Sequence, residues 1–447
     1  MSFSHRYLPI TPEDRQEMLN TIGVDSIEDL FADIPSSVRL KDDLNLPDSL
    51  SEHQLVQLMK GLADKNTTAS QMPYFLGAGT YDHFIPSVVN HVMLKSEFMT
   101  AYVPYQAEAS QGELQALFEF QTMICELTGM EAANSSLYDG FTSLGEACNL
   151  AYGATKKSKV IISQGVHPQG IEVVNTYAYG MEYDVVVSPL NDTTTDLTAL
   201  EALIDEDTAA VVVQYPNFFG TIEDIKAIKS LLDGTKALLI VVANPLALAV
   251  LEAPGKLGAD IVVGDTQPLG IPMSYGGPHC GYFATTKQYM RKMPSRIVGE
   301  TVDAEGKRGF VMTLQTREQH IRREKATSNM SSNQALYALG SAVFMSALGK
   351  VGLQEMAQKN INASHYLAQQ LKDNGFDLVG HQPFFHEFVV KLNKPVKEVN
   401  DFILDNHMMS GLDVSSYFDE PALLLCATEK RSKEEIDQFV SLLKEAN

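Results

Sequence analysis

Positive charge is what this chain has least of. Its 447 residues carry 34 Lys+Arg against 56 Asp+Glu, a formal charge of −22. With no surplus of cations to displace phosphate counterions, nucleic acid is excluded as a partner class, and attraction to an anionic membrane surface is weak. Cysteine is scarce too: Cys125, Cys148, Cys280 and Cys426 stand alone, with no C-x-x-C pair. Four scattered thiols fit a reducing cytoplasm better than a disulfide framework, and each reads as a small buried apolar residue. Long apolar runs are missing. The longest, Ala237 to Leu251, is too short to span a bilayer and is broken by Asn244-Pro245. The first residues have neither the apolar core of a signal peptide nor the acid-poor character of a transit peptide. Several chemical signatures are absent as well: no G-x-x-x-x-G-K-[ST], no H-E-x-x-H, no G-x-S-x-G. Gly77-Ala78-Gly79 starts like a dinucleotide fingerprint, but Asp82 stands at the third glycine, so it reads as a turn.

What is present is an ordinary globular composition, 45% apolar and 20% charged, with material for two or three domains. Residues 1–75 read as a helical segment. Thr11-Pro12 and the capping box from Ser51 to Gln54 start helices, and Leu55, Leu58, Met59 and Leu62 form a stripe expected to be buried. A polar stretch from Asp33 to Pro47 reads as a linker between them. Residues 76–330 read as an α/β domain. A helix carrying Leu114, Leu117, Phe118, Ile124 and Leu127 stops near Gly129. Short apolar strands then alternate with helix-length segments: Val160–Ile162, Val185–Val187, Val211–Val213, Leu238–Val242, Ile261–Val263 and Tyr282–Ala284. That pattern predicts a mostly parallel sheet covered on both faces. Residues 331–447 read as a small α+β domain. Its expected elements are a helix from about Ser332 to Lys359, a second helix, strands near His386–Leu392 and Leu423–Cys426, a helix after Pro395, and a capped closing helix from Ser432.

Four polar segments are hard to explain as core: Tyr102 to Gly112, Tyr138 to Ser143, Tyr275 to Gly281, and Thr316 to Asn329. The last gathers Arg317, His320, Arg322, Arg323 and Lys325 in an acidic chain and ends in Thr327-Ser328-Asn329, where the next long helix is expected to begin. A helix N-terminus flanked by hydroxyls is a ready anion site; a solvated charged face is the competing reading.

Tyr105-Gln106-x-Glu108-x-Ser110-Gln111-Gly112, Tyr275-Gly276-Gly277-Pro278-His279 and Thr316-Arg317-Glu318-Gln319-His320-Ile321-Arg322-Arg323-x-Lys325-Ala326-Thr327-Ser328-Asn329 resemble the N-terminal half of glycine decarboxylase, the P-protein family of the glycine cleavage system. The resemblance runs from His5-Arg6-Tyr7-Leu8-Pro9 to the closing helix, and the length is that of the alpha subunit (subunit 1) in the family's two-subunit form. It implies a pyridoxal-phosphate (PLP) transferase fold of type I, aspartate-aminotransferase-like, in the cytoplasm. It also implies decarboxylation of glycine with transfer of the aminomethyl group to the lipoyl arm of H-protein, in a heterotetramer with the beta subunit (subunit 2).

Such chemistry needs a lysine just after a strand of the large domain to hold PLP. The matching loop here reads Gly264-Asp265-Thr266-Gln267-Pro268-Leu269-Gly270, with Pro268 where the resemblance places the lysine and none between Lys256 and Lys287. Asn244 ends the strand where an Asp partner of the pyridine nitrogen is expected, and His167 reads as a relic of the ring-stacking histidine. The resemblance therefore implies no catalytic residue in this chain, a lysine in the partner, and no metal. Thr327, Ser328 and Asn329 are expected to bind the partner's PLP phosphate across the interface. Arg317, His320, Arg322 and Arg323 are expected to supply positive potential for glycine carboxylate or phosphate, and Tyr102, Tyr105 and Gln106 to border the substrate pocket. Two other readings stay open: a self-sufficient enzyme using Lys325, and a non-catalytic scaffold or docking subunit.

Overall fold

The computed structural model describes residues 7–42, 44–99, 102–330 and 332–447. The His5-Arg6 pair of the opening motif lies outside them. The chain divides into two compact units, Met1–Thr67 and Thr68–Asn447.

In the first unit both expected helices form. The helix Pro12–Ile22 is held at its start by Thr11, whose hydroxyl accepts from Asp14 N at 3.1 Å while the Asp14 carboxylate accepts from Thr11 N at 2.9 Å. The helix Glu52–Ala63 has the reciprocal box between Ser51 and Gln54. The stripe, however, corrects the sequence reading. Leu55, Leu58, Met59 and Leu62 are all exposed, and Leu19 is the one buried side chain among this unit's described residues. Apolar periodicity marks a face suited to burial, and this unit by itself is too thin to cover it.

The second unit is built on a seven-stranded sheet. Its order is Ala132–Ala133, Gly281–Thr285, Ile261–Asp265, Leu238–Ala243, Thr208–Tyr215, Lys159–Ser163, Asp184–Ser188. The last five run parallel to one another; the first two pair antiparallel. All six strands expected from the sequence are there. Alternate side chains leave opposite faces: Val211, Val213, Leu239, Val241 and Val262 join one apolar layer, while Val212, Ile240, Ile261 and Val263 join the other. Each fully buried aliphatic side chain contributes roughly 1.5–3 kcal/mol. The helix Gln111–Thr128 buries Leu114, Leu117 and Ile124 in the first layer and ends on Gly129 in the left-handed conformation.

Where two helices were expected after Asn329, one element runs from Ala335 to Asp373, with a local break in the helical backbone at Gly349. Its first half gives Ala338 and Phe344 to the sheet's core. Its second half gives Leu367 and Leu371 to the core of the C-terminal layers. By length and composition this helix could cross a bilayer, but 44% of its most apolar window is buried, as in a core helix. The C-terminal layers are a four-stranded antiparallel sheet, ordered Leu378–Val379, Glu387–Lys391, Ala422–Cys426, Leu412–Asp413, with the helices Val396–Asp405 and Lys433–Ala446. Cys148, Cys280 and Cys426 are buried and Cys125 is half-buried, all as free thiols.

Candidate functional site

A cleft of about 440 Å³ opens at the C-terminal edge of the parallel strands, where ligands of such sheets bind. It is lined by Ala78, Gly79 and Thr80, by Tyr138 to Phe141, and by His167, Asp265, His279 and Gln334 among others. The helix Gly140–Thr155 begins there. Its free N–H groups would welcome an anion, yet this chain's own carboxylates already occupy them. Asp139 accepts from Thr142 N at 2.7 Å, and Asp265 Oδ2 accepts from Gly140 N at 3.0 Å. The approach is so close that a Cβ on residue 140 would lie 3.1 Å from the Asp265 side chain. His279 Nδ1 lies 3.1 Å from the same Asp265 oxygen, and that hydrogen bond raises the pKa of its imidazole.

The next turn is closed in the same way. Gln267 is buried: its Oε1 accepts from Tyr81 N at 2.9 Å, and its Nε2 donates to Tyr81 O at 2.8 Å and Ile271 O at 3.0 Å. Tyr81 in turn donates its hydroxyl to Glu387 at 2.8 Å, and Glu387 accepts from Ala78 N at 2.6 Å. Pro268, beside Gln267, is buried and has no amine to offer. Asn244 accepts from Leu246 N at 3.0 Å, shaping its own turn. His167 lies between Phe141 and Phe218, at ring separations of 4.7 and 4.9 Å. Its Nδ1 accepts from Gln169 N and its Nε2 faces Ala78 O at 3.0 Å, so the ring is neutral with the proton on Nε2; burial lowers its pKa.

These residues do not fit PLP. A phosphate at the helix N-terminus would meet Asp139 and Asp265, and no lysine stands on the loop that should hold the ring. Among the described residues no group of three or more His, Cys, Asp or Glu is placed to hold a metal ion.

Of the four polar segments singled out from sequence, Tyr138 to Ser143 and Tyr275 to Gly281 line this cleft, while Tyr102 to Gly112 and Thr316 to Asn329 lie on a different, outward-facing surface. Tyr102 is 77% exposed, its hydroxyl 3.1 Å from Ser332 Oγ. Tyr105 is also exposed. Its hydroxyl accepts from Arg296 at 3.0 Å, and that guanidinium lies 5.2 Å from the ring centre. Buried Arg296 pairs with buried Glu318, whose carboxylate lies 3.6 Å from His320 Nδ1. The structure thus links Tyr105, Arg296, Glu318 and His320 in one chain of contacts. Gln106 and Arg323 are exposed, and Arg322 Nε donates to Thr316 O at 3.2 Å. Arg317 is placed otherwise. Its guanidinium donates to the carbonyls of Met293 and Ser295, so it orders the loop, and burial lowers its pKa to about 10. Thr327 and Asn329 are exposed, and half-buried Ser328 accepts from Met330 N at 3.0 Å.

These three residues do not open the long helix, which begins at Ala335; the described residues 329, 330 and 332–334 before it are non-helical. Asn333 donates to Ser135 Oγ and Gln334 N to Ser136 Oγ. Sequence reasoning passed over Arg296 and gave Asp139, Asp265 and His279 no role of their own, although it quoted all three within segments it singled out. Their motif context marked the place of those three, whereas nothing around Arg296 sets it apart.

With this geometry in hand, the chain can be compared with known proteins. Residues 5–443 match the family model described as the glycine cleavage system P-protein. The chain belongs to the P-protein family. It is 60% identical over 436 residues to a Brevibacillus brevis protein, and 57% identical over 441 residues to one from Geobacillus kaustophilus. Both are named probable glycine dehydrogenase (decarboxylating) subunit 1, and at least 97% of this chain is covered in each comparison, with 97% and 98% of theirs. A crystal structure of a glycine decarboxylase P-protein in inhibitor-bound form superposes with a TM-score of 0.92 at 42% identity, covering 99% of this chain and all of that one. A sphingosine-1-phosphate lyase from Burkholderia pseudomallei, with a TM-score of 0.66 at 16% identity over 92% of this chain and 94% of that one, shares the α/β fold.

Proposed function

We propose that this P-protein chain is the lysine-free subunit of a cytoplasmic, two-subunit glycine decarboxylase. Its partner, subunit 2, carries the lysine and PLP, and the complex passes the aminomethyl group of glycine to the lipoyl arm of H-protein. One observation carries the reading. The loop that should bear the lysine holds buried Pro268 and Gln267, with Gln267 tied to the Tyr81 backbone and carboxylates filling the phosphate position beside it.

PLP bound on the partner supplies the electron sink for loss of CO2. This chain's part is positioning and charge. Thr327, Ser328 and Asn329 offer hydroxyl and amide donors toward the partner's phosphate. His320, Arg322 and Arg323 bring positive potential to an otherwise acidic protein, and guanidinium suits carboxylate and phosphate alike. Tyr102, Tyr105 and Gln106 border the glycine pocket, with Tyr105 steadied from behind by Arg296. Arg317 serves at one remove, by fixing the loop that carries the others.

The test is the visible spectrum of the purified chain with added PLP, alone and then with subunit 2, before and after borohydride. A reducible band only with the partner supports the reading. A reducible band from this chain alone would sink it.

A further inference from the structure

Glu146 is a carboxylic acid set in an apolar layer, and nothing described so far gives it a role. It stands in the middle of the helix Gly140–Thr155 and is 5% exposed, among Leu144, Ala147 and Leu150 of the core layer on that face of the sheet. A charge placed there is costly unless it is paired. Among the described residues no Lys, Arg or His forms an ion pair with it. Its partners are two hydroxyls, those of Ser328 and Tyr177, which hydrogen-bond to the carboxyl. Tyr177 comes from the helix Pro168–Met181, packed so close that a Cβ on residue 145 would lie 3.1 Å from its ring. The other titratable groups around this cluster are Tyr183, Cys148, Tyr138 and Asp139, of which Tyr183 and Cys148 are kept neutral by burial.

Ser328 ties this buried acid to the outward surface. It is the middle of the Thr327-Ser328-Asn329 triplet, half-buried between two exposed neighbours. Its Oγ accepts from Met330 N at 3.0 Å, and Met330 is buried in the same core layer as the helix that carries Glu146. A serine hydroxyl has one proton to give and two lone pairs to receive. Opposite an ionised Glu146, that proton is given inward to the carboxylate, and none is left for an anion outside. Opposite a protonated Glu146, which donates in its turn, both lone pairs of Ser328 are filled from within and its proton is free to point outward. An ionised carboxylate one side chain away would also repel a phosphate brought to the triplet.

We propose that Glu146 is a positioning residue for the anion site at Thr327 to Asn329, its proton deciding whether Ser328 donates outward to the phosphate held on the partner or inward to the carboxylate. The proposal rests on the role given to that triplet above and adds the group that controls it. Glu146 touches no reacting atom; it acts through Ser328. Burial, with no cation to offset it, raises its pKa to about 7 from an ordinary value near 4.5, so both states are populated near neutral pH. The donor is therefore available on the acid side and withdrawn as pH rises through that value.

The test titrates PLP against the complex assembled from PLP-free subunits, from about pH 6 to about pH 8.5, with wild-type, Glu146→Gln, Tyr177→Phe and Ser328→Ala chains. Glutamine keeps the pattern of the protonated acid, with a donor at every pH. The wild-type dissociation constant divided by that of Glu146→Gln, a ratio in which the titration of PLP itself cancels, should be near one at the acid end. It should rise about 10-fold as pH passes about 7, the contribution of one hydrogen bond to a charged group. Tyr177→Phe withdraws a hydroxyl that favours the ionised carboxyl, so the midpoint of the wild-type weakening should move to higher pH. That variant decides the matter if Glu146→Gln does not fold. A flat ratio, or a midpoint that Tyr177→Phe leaves in place, overturns the proposal. Ser328→Ala separates it from the reading beneath it. If Ser328→Ala weakens PLP at acid pH while the ratio stays flat, Ser328 still serves the phosphate and only the role of Glu146 falls. If Ser328→Ala changes affinity at no pH, both fall together.

Discussion

The cleft at the sheet edge and the tyrosine–arginine surface differ in how their polar groups are satisfied. At the cleft the groups standing where a cofactor's phosphate and ring would be held are engaged from within the chain, although His279 Nε2 has no hydrogen-bond partner among the described residues. Asp265 takes the Gly140 and Gln267 N–H groups, Gln267 takes both polar atoms of the Tyr81 backbone, and His167 is bonded at both ring nitrogens. On the outward surface Thr327, Asn329, Gln106 and Arg323 remain exposed. A polar site closed on itself has exchanged binding for rigidity, whereas an open one keeps its donors for something outside the chain.

The hardest test of the outward surface strikes the buried pair beneath it. Arg296→Met would leave Glu318 buried beside no full cation. Removing one partner of a buried pair costs about 3–5 kcal/mol, so urea unfolding should show a loss of that order. Because Tyr105 loses its hydrogen-bond donor at the same time, the assembled enzyme should also need more glycine for half-maximal rate. An Arg296→Met chain as stable as wild type would mean that this surface is not anchored from below.

Glu387 probes the closed region. It is buried with no cation against it; its nearest charged or titratable neighbours are Tyr81, Cys426 and His386. Desolvation raises its pKa to about 7 from an ordinary value near 4.5. A carboxyl raised on folding binds its proton more tightly in the native state. Its contribution is therefore favourable at low pH and is lost as pH rises from about 4.5 through 7. Glu387→Gln removes that dependence. The stability difference, variant minus wild type, should grow by on the order of 3 kcal/mol across that window and stay flat above it. A difference independent of pH would show that the carboxyl does not titrate there, and that the loop from Ala78 to Tyr81 is held by other means.

Smaller effects belong to single exposed donors. Thr327→Ala and Arg322→Ala, made separately, should each weaken PLP or glycine binding to the assembled complex by about 1–2 kcal/mol while leaving the chain's own melting unchanged. Titrating both ligands against the complex decides between a direct role and a solvated loop. Unchanged affinities would return Thr316 to Asn329 to the plain reading of a charged surface.

How much of this was legible beforehand follows from range. The strands at Val211–Val213 and Leu238–Val242 were legible because a buried parallel strand must be apolar on both faces, and the capping boxes at Ser51 and Ser432 are local by nature. The missing lysine needed only the motif and the loop at Pro268. By contrast, the pairing of Arg296 with Tyr105 joins residues 191 positions apart, and Asp265 meets Gly140 across 125. No window of sequence holds both members. The stripe at Leu55 misled for another reason: periodicity reports that a face is apolar, not which surface receives it.

The least effect of all is expected where sequence reasoning is most tempting to reverse. Pro268→Lys restores an amine to the loop, and on the motif alone it should recreate a PLP site. The structure argues otherwise. The carboxylates of Asp139 and Asp265 would still hold the helix N-terminus against a phosphate, Asn244 would still stand where an acid is needed, and Gln267 would still bind the Tyr81 backbone over the position. A lysine placed there gains no fixed aldehyde to meet, since the groups that orient a cofactor contribute as much as the one that bonds it. The Pro268→Lys chain, mixed with PLP without its partner, should therefore show no visible band beyond that of free PLP with exposed surface lysines. A strong, saturable band fixed by borohydride at residue 268 would mean that one substitution separates the closed region from a working pocket.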